Sequence, residues 1–206
     1  MQEEGAHIID IGGESTRPGA APVTLEEELE RVIPVIESLA SQLSVPVSID
    51  TSKAGVMRAA VEAGAGLIND VCALTQTGAL KAAADLAVPV CLMHMQGKPR
   101  TMQSNPVYED VVKEVRDYLF ARADACVEHG ISRQQILLDP GFGFGKTLAQ
   151  NIQLFRALRT LAEQGYPLLV GVSRKSMIGE ITSRSVDERL DRKSTRLNSS
   201  HQIISY

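Results

Sequence analysis

The sequence predicts an α/β fold, an incomplete (β/α)8 barrel in which about six of the eight βα units are present. Three features of its 206 residues indicate this architecture. Six short apolar runs recur along the chain, segments with a helical period separate them, and polar side chains follow nearly every run. Because strands that alternate with helices indicate βα units, we expect a parallel sheet.

The apolar runs are rich in Ile, Val and Leu and are short enough to be strands. None of them alternates cleanly between apolar and polar residues. Near-continuous apolar runs are typical of parallel strands that are buried on both faces. The runs read HIIDIGG, VPVSIDTS, GLINDV, VPVCLMHMQG, ILLDPGFG and PLLVGVSRKS.

The segments between the runs carry helix signals. Thr24 and Glu27 have the spacing of a capping box, in which each side chain bonds to the backbone of the other residue. Apolar residues then recur with a helical period as far as Leu39, and we expect Pro34 to kink this helix. Further helices are predicted over Lys53–Ala63, Gly78–Ala87, Tyr108–His129 and Asn151–Gln164, with Gly64, Gly130 and Gly165 as stop signals.

Polar residues at the C-terminal ends of the runs decide between two architectures. In a (β/α)8 barrel the functional groups form a ring at this end of the strands, whereas an open doubly wound sheet gathers them at one crevice. Polar ends on six runs in succession favour the ring. These residues are Asp10, Glu14, Asp50, Asn69, His94, Gln96, Asp139, Ser173, Arg174 and Lys175.

Composition and charge narrow the function classes. Apolar residues make up 44% and charged residues 22% of the chain, as in an ordinary globular protein. The formal net charge of −4 argues against a general nucleic-acid surface. No apolar run approaches the about 20 residues of a membrane span, and no signal-peptide pattern is present. Cys72, Cys91 and Cys126 are interpreted as buried, reduced thiols, so we expect a cytoplasmic protein.

The two ends of the chain depart from the βα rhythm. A full barrel has eight strands and about 250 residues, and residues 3–7 resemble the end of a helix, so we expect one strand to be missing in front and one behind. Residues 1–190 are predicted to form the partial barrel. Residues 191–206, which include the peptide KSTRLNSSHQIISY, are predicted to be a tail that is disordered or non-native, because this peptide resembles translated sequencing-adapter read-through.

The stretch DPGFGFGKT, residues 139–147, raises the possibility of a nucleotide-binding loop. A P-loop has four residues between its first glycine and the Gly-Lys pair. Counted back from Gly145, that glycine position holds Pro140, which has no N–H to point at a phosphate. The dinucleotide pattern G-x-G-x-x-G also fails, because Lys146 occupies its last position. The spacing therefore argues against a nucleotide hydrolase.

Six motifs, in order and at strand ends, together resemble the dihydropteroate synthase family. They are HIIDIGGESTRPGA, SIDTSK, LIND, CLMHMQG, LLDPGFGFGK and LLVGVSRKSMIG, and the resemblance covers about residues 4–190. It implies a TIM barrel and a transferase of folate biosynthesis that joins 7,8-dihydropterin-6-ylmethyl diphosphate to 4-aminobenzoate and releases diphosphate. It further implies Mg2+ as cofactor, these two small molecules as binding partners, no nucleic acid or membrane partner, and a homodimer when the protein is full length.

The resemblance implies four pterin-binding residues, Asp50, Asn69, Asp139 and Lys175. A carboxylate such as Asp139 matches the paired N–H donors on one edge of a pterin with two charge-assisted hydrogen bonds. An Asn both donates and accepts, which suits a ring edge of mixed polarity. Of the four, Asp50, Asp139 and Lys175 are the expected catalytic residues, since two carboxylates stabilise a cation that develops beside the ring.

A second group of residues is implied for 4-aminobenzoate. Thr16 and Arg17, in the loop GESTRPGAAP, are expected to close over the aminobenzoate and the diphosphate, and Arg17 is the expected anion-binding residue. Gly143, Phe144 and Ser176 are expected to form the pocket wall, where an aromatic face packs on a flat arene.

Two segments of the family pattern are absent from this sequence. One is an Asn-x-Thr-Pro-Asp loop after a first strand, whose Asn helps to hold Mg2+, so no metal ligand is assigned here. The other is an Arg-x-His pair on a last strand, for the departing diphosphate. We expect the chain as written to fold poorly and to turn over little substrate, because missing strands expose sheet edges and core. A pterin-binding methyltransferase and an inactive pterin-binding fragment remain alternatives.

Overall fold

The computed structural model describes residues 2–3, 5–17, 19–97, 101–103, 105–172, 175–183 and 202–204. Its first six strands are parallel, follow one another in chain order and form a curled half-barrel with helices between them. This confirms the predicted α/β class, the incomplete barrel and the six predicted strands. The strands are β1 (Ile9–Gly12), β2 (Val47–Asp50), β3 (Leu67–Asp70), β4 (Val90–Met93), β5 (Ile136–Asp139) and β6 (Leu168–Val170).

The helices of the described residues lie between the strands and cover the outer face of the sheet. They are α1 (Leu25–Ala40), α2 (Ala54–Glu62), α3 (Ala79–Leu86), α4 (Val111–Glu128), α5 (Leu148–Arg156), α6 (Leu158–Ala162) and α7 (Ser176–Thr182), with a 3-10 turn over Arg133–Gln135. The predicted stop signals are confirmed, since Gly64, Gly130 and Gly165 follow α2, α4 and α6 at positive φ.

Two features of the helices differ from the prediction. The single helix predicted over Asn151–Gln164 is two helices, α5 and α6, which meet at Ala157. Helix α5 also begins earlier, because Thr147 and Gln150 form a capping box that the sequence prediction missed. Helix α7 had no predicted counterpart.

Helix α1 begins as its capping box predicts. The Glu27 amide donates to Thr24 Oγ1 at 3.2 Å, and the Thr24 amide donates to Glu27 Oε2 at 3.4 Å. Val32 and Ile36 carry its apolar face into the core. Pro34 lies inside the helix, and the kink expected there stays a prediction.

The sheet separates two apolar layers, because successive side chains of a strand point to opposite faces. The larger layer lies between the strands and the helices and includes Ile49, Ile68, Leu92 and Leu138. The smaller layer is on the inner face of the half-barrel, where a second buried cluster forms the floor. Its members are Leu67, Cys91, Leu137 and Leu169. The inner face thus has an apolar floor. The inward-pointing residues at the C-terminal ends of the strands lie above this floor.

The tail of the chain contributes a short strand, β7 (Gln202–Ile204), which pairs antiparallel with β6. This backbone pairing involves only residues 202–204, so the disorder expected over residues 191–206 stays a prediction. Residues 184–201, 205 and 206 lie outside the described residues. Whether the tail is native stays a prediction.

Two further predictions concern buried, reduced cysteines and the lack of a membrane-spanning segment. All three cysteines are free; Cys91 and Cys126 are buried as predicted, whereas Cys72 is only partly buried. In the described part of the chain, no helix combines the length and apolar character that crossing a membrane requires.

Candidate active site

Strand register brings the predicted pterin residues to the inner face of the half-barrel. Ile49, Ile68 and Leu138 point to the helices, so their neighbours Asp50, Asn69 and Asp139 point inward. Asp50 and Asn69 are partners in the β2–β3 register. Asp139 pairs with Met93 and lies two residues closer to the C-terminal end of its strand than Leu137, which is level with Asn69 through Cys91. Such a stagger between strands is expected in a barrel.

Carboxylates from the strands and from α1 lie close to Asp50. Burial raises the pKa of Asp50 well above its ordinary value, and the neighbouring charges of Asp10, Asp70, Glu28 and Asp139 raise it further. A ligand that brings N–H donors or positive charge relieves this repulsion, whereas an anion increases it. The site beside Asp50 therefore favours a donor-rich ring edge or a developing cation.

Asp10 orients the amide of Asn69, a role that sequence reasoning missed. Asn69 Nδ2 donates to Asp10 Oδ2 at 3.1 Å, and the hydroxyl of Ser48 donates to the other carboxylate oxygen. Asn69 itself is buried, with 3% of its surface exposed. The period-2 pattern of β1 and β2 could have placed Asp10 and Ser48 on one face, although not their contact.

Asp70, which follows Asn69 in the motif LIND, has a structural task. It points to the helix side, accepts the amides of Cys72 and Leu74 at 2.8 Å each, and accepts the hydroxyl of Ser52. Burial raises its pKa even though these hydrogen bonds lower it. Within this motif, Asn69 therefore points to the inner face, and Asp70 holds the turn that leads into α3.

The turn after β5 holds Asp139 in place. The Gly141 amide donates to Asp139 Oδ1 at 2.7 Å, and Asp139 is 1% exposed. Gly141 has φ +69°, and a Cβ built on it would lie 1.9 Å from the carbonyl oxygen of His94. Only glycine fits this position, because both the backbone angle and the space exclude a side chain.

Lys175 joins two of the predicted groups of residues. Its Nζ donates to the carbonyl of Phe142 at 2.5 Å and lies 4.8 Å from the centroid of the Phe144 ring. Burial lowers the pKa of Lys175, and the nearby charge of Asp139 opposes that shift. The side chain also passes 3.3 Å from the Cβ position of Gly143. Lys175, Gly143 and Phe144 therefore form one wall, and the charge of Asp139 acts on Lys175 within it.

The remaining predicted site residues lie in two places: some line a cleft, and Ser176 begins helix α7. Thr16, Arg17 and Asp50 line an open cleft of about 620 Å³. Asp139, Gly143, Phe144 and Lys175 are not part of its lining, so the structure presents the predicted site as two neighbouring halves. Ser176 is the exposed first residue of α7. Ser173 and Arg174 lie outside the described residues.

Lys146, the lysine of the apparent phosphate loop, is an internal structural group. It is 3% exposed, and its Nζ donates to the carbonyls of Gly141 at 2.9 Å and Phe144 at 3.0 Å. The same Nζ lies 3.0 Å from Nδ1 of His94. Burial lowers the pKa of Lys146 to about 7. No sequence period marks such a residue, and glycine-rich loops usually expose their lysines.

His94, at the end of β4, has a buried ring whose Nδ1 lies 3.0 Å from Nζ of Lys146. Burial, with the charge of Lys146, lowers its pKa to about 3, so the ring is neutral at neutral pH. The edge of the ring packs against Tyr118 with centroids 5.0 Å apart. His94 thus supports the glycine-rich turn from the end of β4 and titrates far from neutral pH.

The residue types needed for a metal site do not converge. Within the described ranges, no three His, Cys, Asp or Glu side chains form a group that could hold a metal ion. Since Mg2+ is usually bound by one or two carboxylates together with water and substrate phosphate, Mg2+ as cofactor stays a prediction.

Comparison with known proteins places this arrangement in a family. The family model described as "Pterin binding enzyme" matches residues 1–203. The chain belongs to the pterin binding enzyme family. The chain is 53% identical over 190 residues to the dihydropteroate synthase of Escherichia coli (strain K12), covering 92% of this chain and 67% of that protein. This agrees with the family resemblance that the sequence motifs carry.

Solved structures of this family share the fold. A Xanthomonas albilineans dihydropteroate synthase with 4-aminobenzoic acid superposes with a TM-score of 0.87 at 56% identity, covering 92% of this chain and 67% of that one. The same enzyme in complex with 7,8-dihydropteroate superposes with a TM-score of 0.82 at 53% identity, covering 91% and 66%. The chain thus spans about two thirds of the length of these relatives and follows their TIM-barrel architecture.

Proposed function

We propose that this chain carries the active site of a dihydropteroate synthase, a transferase. The reaction condenses 7,8-dihydropterin-6-ylmethyl diphosphate with 4-aminobenzoate to give 7,8-dihydropteroate and diphosphate. The observation that carries the proposal is the convergence of Asp50, Asn69 and Asp139 on the inner face, with Lys175 close enough for the charge of Asp139 to act on it, in a chain 53% identical to such an enzyme.

The pterin half of the proposal rests on hydrogen-bonding chemistry. Asp139 accepts the paired N–H donors of the ring edge, with Oδ1 already oriented by the Gly141 amide. Asn69, whose Nδ2 is held by Asp10, directs its carbonyl oxygen to a ring donor. Lys175 donates to the acceptor side of the ring. N–H donors of the ring would offset the burial and the carboxylate repulsion that raise the pKa of Asp50.

The chemical step needs electrostatic stabilisation and no protein nucleophile. The bond between the pterin methylene carbon and the diphosphate oxygen loosens, and its electron pair leaves with the diphosphate. The carboxylates of Asp50 and Asp139 stabilise the positive charge that develops on the pterin. The amine nitrogen of 4-aminobenzoate then forms the new C–N bond and loses a proton.

The aminobenzoate half uses the second group of residues. Phe144 and Gly143 offer an aromatic face and close backbone approach, and the nearby ammonium of Lys175 suits a substrate that carries a carboxylate. Thr16 and Arg17 line the neighbouring cleft, where the guanidinium of Arg17 suits an anion. Ser176, at the start of α7, completes the proposed set.

Three wider features complete the proposal: Mg2+, a homodimer and a cytoplasmic location. The described residues do not bring three His, Cys, Asp or Glu side chains together for the ion, so the mechanism has no step through the metal. Exposed apolar side chains of Phe155 and Ile181, on the packed helices α5 and α7, support a subunit contact. Equilibrium sedimentation of the full-length protein tests the dimer.

The deciding experiment measures pterin binding by Asp139→Asn. Loss of the carboxylate charge should weaken binding of a dihydropterin by about tenfold to a hundredfold in isothermal titration calorimetry, because charge-assisted hydrogen bonds are lost. Asp124→Asn, an exposed aspartate on α4, is the matched control. Equal affinity of both variants and the unchanged chain would exclude Asp139 as the pterin-binding carboxylate.

The same assay separates the two alternatives. Pterin binding with methyl transfer, and without affinity for 4-aminobenzoate and diphosphate, would indicate a pterin-binding methyltransferase. Pterin binding without any product would indicate a binding fragment. The position of Thr16 and Arg17 beside Asp50 favours the synthase, because a methyltransferase has no use for this loop.

A further inference from the structure

Two charged residues beside the cleft occupy positions that local rules disfavour. Lys53 is the N-cap of α2, with no side-chain cap hydrogen bond, although N-caps prefer Ser, Thr, Asp or Asn and a cation there opposes the helix dipole. Glu28 is buried inside α1 at 1% exposure, where a carboxylate is costly unless it is paired. Such local conflicts mark positions with another task.

The two residues meet at a third, Glu14, in the loop after β1. Lys53 Nζ donates to Oε2 of Glu28 and to Oε2 of Glu14. Burial lowers the pKa of Lys53, but the hydrogen bonds to Glu14 and Glu28 outweigh this and raise it. One ammonium therefore ties the loop to the starts of both α1 and α2.

The Glu14 carboxylate also joins the two ends of the loop. Its Oε1 accepts the amide of Val23 at 3.4 Å, from the far end of the loop. The preceding residue, Gly13, is seated against α1: its carbonyl accepts Arg31 Nη1 at 2.8 Å. A Cβ on Gly13 would lie 2.9 Å from Glu28 Cγ, so the base of the loop has no spare room.

We propose that Glu14, Lys53 and Glu28 form a clasp that fixes the base of this loop and so positions Thr16 and Arg17 over the cleft. The clasp and these two residues line the same cleft. Glu14 and Lys53 are then positioning residues for Thr16 and Arg17, the proposed aminobenzoate and anion residues, while the proposed pterin carboxylate Asp139 lies outside the lining of this cleft. This assignment to a substrate half rests on the proposed function.

Glu14→Gln tests the clasp directly, because it removes the charge that links the loop and leaves the Lys53–Glu28 pair in place. We expect hydrogen exchange of the Val23 amide to accelerate by about tenfold, with the core of α1 unchanged. Affinity for 4-aminobenzoate should fall by a similar factor while affinity for the pterin stays the same. Arg58→Met is the matched control: it removes an exposed ion pair with Asp85 on the same helix, α2.

A second variant, Lys53→Met, removes the ammonium that both glutamates share and so tests the same contact from its other side. Lys53→Met strands the buried Glu28 carboxylate, so it should accelerate Val23 exchange as Glu14→Gln does and also lower thermal stability. Unchanged Val23 exchange in folded Glu14→Gln overturns the clasp. Accelerated exchange with unchanged aminobenzoate affinity overturns the positioning role. If the unchanged chain binds neither substrate, the proposed function fails, and Val23 exchange still decides whether the clasp exists.

Discussion

At the scale of single residues, the stretch 139–147 has the sequence features of a phosphate loop but a structural role in the turn after β5. The lysine points into the protein, where two backbone carbonyls and His94 surround its ammonium. The glycines allow close contact with the end of β4, as the 1.9 Å distance from a Cβ on Gly141 to the His94 carbonyl oxygen demands. Asp139 is the residue that this turn presents to the inner face.

Gly141→Ala should prevent the turn from forming. The new methyl group would overlap the His94 backbone, and φ +69° strains any side chain. We expect destabilisation of several kcal/mol, about 3 or more, measured by urea denaturation at low protein concentration. Gly66→Ala is the control, since nothing lies within 4 Å of a Cβ there. Similar stability of the two variants would contradict the tight contact.

Lys146 should make stability depend on pH. Its pKa is about 7 in the folded chain, because burial disfavours the charged amine, and 10.5 is its ordinary value in the unfolded chain. Between these values the unfolded chain binds more protons, so stability rises with pH. Relative to Lys146→Met, the free energy of unfolding should rise between about pH 7 and 9 by at most ~1.4 kcal/mol per unit. Parallel pH profiles of the two proteins would refute the shift.

At the scale of elements, caps and register determine where side chains stand. The capping boxes at Thr24 and Thr147 set where α1 and α5 begin. The register of β2 with β3 aligns Asp50 with Asn69. The strands β2 and β3 have four residues each, so a one-residue change of register would turn Asp50 or Asn69 to the other face of the sheet.

Thr147→Ala should reduce stability without any effect on phosphate binding. Thr147 Oγ1 accepts the Gln150 amide at 3.3 Å as the N-cap of α5. Loss of this cap costs about 1 kcal/mol, measurable as a lower urea midpoint. Thr160→Ala, an exposed position in α6, should change stability by much less. An effect of Thr147→Ala on diphosphate affinity, at unchanged stability, would revive the phosphate-loop interpretation.

At the scale of the whole molecule, the half-barrel leaves an edge. Among the described residues, β1 pairs only with β2, while β6 pairs with β5 and β7. The inner acidic face is correspondingly open, and Asp10 on β1 is exposed. An unpaired strand edge beside exposed apolar side chains favours association with other chains.

We therefore expect this 206-residue chain to associate as its concentration rises. Light scattering after size exclusion should show oligomers or aggregates at micromolar concentration. An assay of dihydropteroate formation should show little turnover of substrate. A soluble monomer that makes dihydropteroate at an ordinary enzymatic rate would contradict this expectation. A longer version that supplies strands on both sides of the sheet is the comparison protein.

The sequence by itself determined the strands, most helices and the identity of the inner-face residues. Apolar runs, capping boxes and glycine stops act over a few residues, so a local pattern carries them. The position of Asp50, Asn69 and Asp139 at strand ends followed from the same local patterns. The break at Ala157 was missed, because a helical period alone does not show where a helix turns.

Only the tertiary structure decided which polar residues meet. Asp10 with Asn69, Lys146 with His94, and Lys53 with Glu14 and Glu28 are each separated by 25 residues or more in the chain. No local signal links such pairs, because burial and strand register create their contacts. The same reason explains the lysine of the glycine-rich turn: its sequence suggests an exposed phosphate ligand, and packing against β4 makes it an internal support for Asp139.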